Sequence, residues 1–370
     1  TYPGKFKSYH TPSKNNLYGI KQKILGKEKF DMATKVVGFH HHYTMPKGVF
    51  DYEKKELKKS IDSKLKRSLI NSYNFEIAVD PILTLFTQSS PFFNGKYIAK
   101  DSRMLIYRGG KKLNYPGVYD KYQQFGGLPP YKQTGTDLIR SLFRRTERWK
   151  KLVKENEPNA DFDSLYPYKL DISWNPVKLN KHCTLEQRGM DMNLMSIIIG
   201  VSILLKFTLR KIHREFIEVI PADRAIVKPF EIKNGILVIP PHTYIRDVLQ
   251  KASAYEGFEN DELYNYAKRF YRFAKSLVPD FYYPLLANID KMIKKRSSIS
   301  DKMILYARRN KMIDPKGCIS QDNCRKISLH FSKLFEKDLA HTLQILNDIK
   351  DKHTNYEFEV NGELNGLNGI

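Results

Sequence analysis

Between His182 and Asp191 the chain sets a base, a hydroxyl, an acid and a guanidinium at alternate positions. The run His182-Cys183-Thr184-Leu185-Glu186-Gln187-Arg188 reads as a strand, with His182, Thr184, Glu186 and Arg188 on one face and Cys183, Leu185 and Gln187 on the other. A core strand would carry apolar residues on that first face. Glu186 and Arg188 there suit a cation and an oxyanion, because a carboxylate ligates hard divalent metals and a guanidinium forks onto phosphate or carboxylate. The same spacing also describes a Glu186–Arg188 ion pair on a solvated edge strand. A second such stretch lies upstream, in Lys35-Val36-Val37-Gly38-Phe39-His40-His41-His42-Tyr43. His40 and His42 share a face with Gly38, while Phe39, His41 and Tyr43 share the other, so the alternate imidazoles can hold one metal ion or grip a phosphate.

These residues need elements to position them. Leu170–Pro176 reads as a short strand that proline ends, Gly189 closes the Glu186 strand, and Asp191 is placed to cap the apolar helix that follows. Met192–Leu205 is too short to span a bilayer and continues amphipathically through Arg214, which marks a buried core helix. Upstream, the pattern predicts an extended segment over Thr1–Asn16 and a helix over Asn16–Lys27. Two further helices are expected, Tyr52–Asn71 with Leu57, Ile61, Leu65 and Leu69 inward, and Phe75–Gln88. Ser89–Lys96 and Gly109–Pro130 read as loops, Thr136–Glu155 as a basic helix with a solvated face, and Glu231–Pro240 as a hairpin turning at Asn234-Gly235. Beyond it the period is helical over Thr243–Tyr255, Asp261–Ser276, Phe281–Lys294, Ser300–Lys311 and Gln321–Asp351, and the three Asn-Gly pairs of Asn355–Ile370 predict a frayed tail.

The 370 residues hold 63 Lys and Arg against 40 Asp and Glu, so the formal charge of +23 favours anionic partners. The lysines spread along the amphipathic segments and form no single block, as on a solvated surface. Three cysteines are too few for a disulfide scaffold and suit a reducing cytoplasm.

In order and spacing, Gly38-Phe39-His40-His41-His42, Ser89-Ser90-Pro91-Phe92-Phe93-Asn94-Gly95, Ser102-Arg103 and Thr184-Leu185-Glu186-Gln187-Arg188-Gly189-Met190-Asp191 form a set. Together they resemble the motifs of the glutamate–cysteine ligase family of the bacterial and archaeal carboxylate–amine ligase type. The resemblance covers residues 1–216 and continues more loosely through the C-terminal helices. It implies an α+β chain with a glutamine synthetase-like antiparallel sheet lining a cavity and backed by helices. The implied organisation is a catalytic core over residues 1–240, a helical C-terminal part of the same domain over 241–352, and a tail over 353–370. It further implies ATP-dependent joining of glutamate to the amine of cysteine or of another amino acid through an acyl phosphate, with ATP and Mg²⁺ as cofactors. By the same resemblance Glu186 and His40 would be metal ligands and His42 would lie near the nucleotide phosphates. Arg188 and Arg103 would hold the transferring phosphate or the substrate carboxylate. Family members carry further metal-binding glutamates on strands upstream of the histidine strand. No such strand precedes Gly38 here, so either the expected cluster is incomplete or the chain is a fragment. His41 is extra to the pattern and should face away.

Two other readings follow from the same residues. Tyr264, Tyr266, Phe270, Tyr271 and Phe273 among Lys268, Arg269 and Arg272 could form a stacking patch for nucleic acid on a non-catalytic scaffold. At helical spacing they read better as core with a basic face, so nucleic acid is not the expected partner, and neither is a membrane. A zinc hydrolase built on His40 and His42 lacks a Cys or His-Glu-x-x-His companion.

Overall fold

The computed structural model describes residues 3–5, 17–58, 63–223 and 229–367. It is a mixed α+β chain, 59% helical, with small sheets that include the strands bearing His40, His42 and Glu186. Ile61 and most of the expected N-terminal extended segment lie outside the described residues.

The helix Ser63–Thr87 runs through the middle of the core. Sequence spacing predicts two helices here, broken near Ser72, but the chain forms one. The polar residues that suggest a break are used sideways: Asn71 accepts from the Val219 amide, and Asn74 exchanges two hydrogen bonds with the Lys132 backbone. The predicted helical start at Tyr52 is instead a hairpin, Phe50–Asp51 against Glu56–Leu57. Asp51 accepts from the amides of Glu53 and Lys54, and this local turn competes successfully with helix.

Three strands form the sheet that bears the candidate residues. Thr184–Asp191 is central, with Gly38–Thr44 antiparallel on one side and Val177–Asn180 antiparallel on the other. The strand expected over Leu170–Pro176 is displaced past the proline, since Lys169–Ile172 is a 3₁₀ turn. Residues 181–183 make the tight turn between Asn180 and Thr184, with Cys183 at a φ of 60°, so His182 lies off the strand. Gly189 does not end the central strand, which continues through Asp191. Nor does Asp191 cap the next helix. It accepts from the Ser89 amide and the Ser90 hydroxyl and so ties the Ser-Ser-Pro loop to the sheet.

The apolar helix Met195–Arg214 packs against Ser63–Thr87 and Tyr283–Lys295. At Gly200 the approach is close, because a Cβ there would lie 2.8 Å from Ile289 Cδ1. No helix among the described residues is long and apolar enough to cross a membrane. The Asn234-Gly235 hairpin forms as expected, and Ile236–Ile239 also pairs in parallel with Glu218–Pro221. The helix Gln321–Leu367 runs past the point where fraying is expected. Glu357 binds Lys206 and Arg210, while Tyr356 packs on Phe207 and Phe281, and these contacts hold its late turns to the core. One apolar cluster includes residues from Met45 to Ile349. A second, around Trp149, Phe125, Tyr119 and Ile20, carries the helix Leu17–Leu25.

Candidate functional site

The site is built where the histidine strand meets the centre of the sheet. His42 stands directly opposite Glu186, and on the far side of Glu186 stands Lys178. Both cross-strand neighbours of the carboxylate therefore present a nitrogen base on the same face. Ligand atoms of His40, His42 and Glu186 lie within 4.8 Å of one another, and His40 Nδ1 is 3.1 Å from Glu186 Oε1. The sequence expectation that His40 and Glu186 converge is met. The solvated-edge alternative is not, because Glu186 lies on the central strand and is only 3% exposed. As alternation predicts, His41 turns to the other face. Burial and the neighbouring His42 lower its pKa to about 4.

The register explains how Arg188 arrives. Phe39 pairs with Met190 and His41 with Gln187, so the single residue His40 faces two, Arg188 and Gly189. At this bulge the Arg103 guanidinium takes both the Arg188 and the Gly189 carbonyl. Nη1 donates to the Gly189 carbonyl at 3.0 Å and Nη2 to the Arg188 carbonyl at 3.1 Å. Arg103 reaches them from the first turn of Ser102–Arg108, which Asp101 caps through the Met104 amide. Gly38 leaves room for this arrangement, since a Cβ would come within 2.2 Å of the Arg103 guanidinium. Beneath the bulge, a Cβ on Gly189 would strike Arg108 and Asp80, a buried bidentate pair. All four sequence motifs thus meet at one bulge. Arg103 is clamped by backbone, whereas among the described residues the Arg188 guanidinium has one carboxylate near it, Glu186 Oε1 at 3.8 Å, beyond hydrogen-bond distance.

The electrostatics follow from this packing. Burial by itself would raise the Glu186 carboxyl, but His40, Arg188, Asn180 and Lys178 together pull it down to about 2. Asn180 Nδ2 donates to Glu186 Oε2 at 2.7 Å, and His42 Nδ1 meets the Thr184 hydroxyl at 2.8 Å. Such outer partners fix the orientation of ligating groups. Burial lowers the pKa of His42 against the raising effect of Glu186, which favours the neutral imidazole a metal requires. The donor set of two imidazoles and one carboxylate fits a divalent cation. Mg²⁺ would use Glu186 together with water and substrate oxygens, while the imidazoles shift preference toward a borderline ion such as Mn²⁺. His42 also borders a cavity of about 680 Å³ between the histidine strand and Met195–Arg214, lined by Lys47, Lys206, Arg210 and His213 and by no acidic residue.

Sequence reasoning misses Lys178, Asn180, Trp174 and Lys21. The first two alternate in phase on Val177–Asn180 and would be legible once the strand is placed after Pro176. Lys178 is buried, donates to the Leu170 and Ser173 carbonyls, and has its pKa lowered to about 8 by burial and then by Arg188. As helical spacing predicts, Tyr266, Phe270 and Tyr271 are buried in the core and do not form the alternative stacking patch. Comparison with protein-family models gives no match, and comparison with curated proteins finds no similar chain.

Proposed function

We propose that this chain is an ATP-dependent carboxylate–amine ligase of the glutamate–cysteine ligase type, on a glutamine synthetase-like sheet and acting in the cytoplasm. The observation that carries the reading is the convergence of His40, His42 and Glu186 on one sheet face beside an Arg188 that has no hydrogen-bonded acceptor among the described residues. The chemistry joins glutamate to an amino acid amine, cysteine or another. The substrate carboxylate attacks the γ-phosphorus of ATP and ADP leaves with the bonding electrons. The amine then attacks the acyl carbon, loses a proton and expels phosphate. A bound Mg²⁺ would offset charge on the phosphate oxygens.

The chain's own residues supply the rest. Glu186 and the two imidazoles hold the cation. Arg188, kept in place by the bulge, presents a planar fork to the oxygens on which charge gathers. Arg103 positions Arg188 by fixing its carbonyl, and the two line the same small cavity. The acid-free cavity beside His42 has a volume in the range of small-molecule sites.

The test is phosphate release from ATP with glutamate and a panel of amines, with Arg188→Lys and Glu186→Gln beside wild type. The expected result is amine-dependent release, lowered by at least ~10²-fold in Arg188→Lys. ATP with a divalent ion should raise the melting temperature of wild type but not of Glu186→Gln. Absence of amine-dependent release across the panel, from a protein that still binds metal, would sink the ligase reading.

A further inference from the structure

We propose that Lys21, Trp174 and Arg188 form an oxyanion site for a phosphoryl group at the margin of the metal cluster. This deepens the ligase reading and rests on it for the ligand's identity as the phosphoryl group of a nucleotide or acyl phosphate. Lys21 lies on Leu17–Leu25 between residues that bury Ile20, Ile24 and Leu25, and it is itself 9% exposed. Its ammonium sits 4.3 Å from the centroid of the Trp174 ring and 5.7 Å from that of Tyr18. Among the described residues it has neither a hydrogen-bond acceptor nor a carboxylate partner.

Arg188 likewise has no hydrogen-bonded acceptor among the described residues, though Glu186 Oε1 lies 3.8 Å from it, and the two cations face each other's field. After burial, the charge of Arg188 does most to lower the pKa of Lys21, to about 8. The carboxylates nearby are already engaged, Glu186 with His40 and Asn180, and Asp171 with Lys181 at 2.7 Å. Trp174 joins the two cations physically. Its ring carries Lys21 and also lines a cavity of about 20 Å³ with Arg188, Arg103 and Gly189. That volume admits one oxygen atom. Arg103 lines it too, and the Arg103 Nε–H is buried without an acceptor.

Three donors without hydrogen-bond acceptors among the described residues, one of them on Lys21, which also has no carboxylate partner, call for an anion that offers charge and several oxygens. A phosphoryl group has these at neutral pH, whereas a monocarboxylate has one charge and two oxygens. The planar fork of Arg188 and the point charge of Lys21 approach such a group in complementary ways, and the indole face keeps the ammonium oriented while the site is free.

The experiment is calorimetric titration of metal-free protein in EDTA, at constant ionic strength, with inorganic phosphate and pyrophosphate, and with acetate and glutamate as carboxylate arms. Wild type should bind phosphate and pyrophosphate more tightly than either carboxylate. Lys21→Met should weaken phosphate binding by at least ~10-fold, the loss expected for one hydrogen bond to a charged group. Lys21→Met replaces a buried, unpaired ammonium with an apolar chain of similar length, so its thermal midpoint should not fall. Lys23→Met, on the exposed side of the same helix, should leave phosphate affinity unchanged, and Lys21→Arg should retain more of it than Lys21→Met. Equal phosphate affinity in wild type and Lys21→Met, or acetate binding as tightly as phosphate, overturns the site. Phosphate binding that depends on Lys21, in a protein without amine-dependent phosphate release, upholds the site and overturns the ligase reading.

Discussion

Asp80 and Arg108 lock the underside of the bulge that aims Arg188, and breaking that pair tests how the site is held. The contacts are Oδ2–Nη1 at 2.5 Å and Oδ1–Nη2 at 2.9 Å, with Asp80 fully buried and Arg108 3% exposed. Gln250 Oε1 accepts from the same Nη1 at 2.6 Å. Asp80→Asn keeps the shape but leaves the guanidinium charge dry and unpaired. Removing one partner of a buried pair costs about 3–5 kcal/mol, against about 0–1 kcal/mol for an exposed one. A chain of 370 residues unfolds with an entropy of about 0.8 kcal/mol per kelvin, so the midpoint should fall by about 4–6 °C if it melts as one unit. The double variant Asp80→Leu/Arg108→Met removes both charges and leaves Gln250 without its donor, so it should recover to within ~1–2 kcal/mol of wild type. Urea unfolding of wild type and the two variants gives both differences, and Mn²⁺ titration reports whether the bulge survives. A loss below about 1 kcal/mol in Asp80→Asn would refute the claim that the pair is dry and mutually dependent.

Gly38→Ala should displace the Arg103 guanidinium from the two bulge carbonyls, because the added Cβ would lie 2.2–2.6 Å from it, and cost about 1–3 kcal/mol; thermal melting checks this, and an unchanged midpoint contradicts it. Both carboxylate oxygens of Glu76 are buried without a partner, and burial, then Glu186 and Asp80, raise its pKa well above 4.5. The folded state therefore keeps a proton that the unfolded chain releases above about pH 4.5, so wild-type stability declines as pH rises toward the folded pKa. Glu76→Gln should remove that part of the decline and gain ~1–3 kcal/mol over wild type at pH 8 relative to pH 5; a difference independent of pH defeats the assignment. Without nucleotide, Mn²⁺ should bind at least ~10-fold more tightly than Mg²⁺, and His42→Ala should weaken Mn²⁺ more than Mg²⁺; calorimetry that shows equal losses for both ions removes His42 from the ligand set.

Local pattern by itself determined which residues share a face. The period of two placed His40 with His42 and Glu186 with Arg188, and it turned His41 away, because side-chain alternation is a property of the strand and not of its neighbours. Asn234-Gly235 and the helices Asp261–Ser276 and Gly135–Asn156 were legible for the same local reason, through turn chemistry and amphipathic period. Tertiary structure decided what local signals left open. Polar Asn71 and Asn74 suggest a helix break until the Val219 and Lys132 backbones satisfy them, and a tail expected to fray from Asn355 instead binds the core through Tyr356 and Glu357. Arg103 looks like a site cation in sequence, and only the fold reveals that it also clamps the Arg188 and Gly189 carbonyls. Lys21 stands about 160 residues from the motifs it joins, on a helix whose pattern announces only a buried face. Its role depends on a tryptophan and an arginine that packing alone brings to it, since charge and cation–π interactions act through space and leave no period in the sequence.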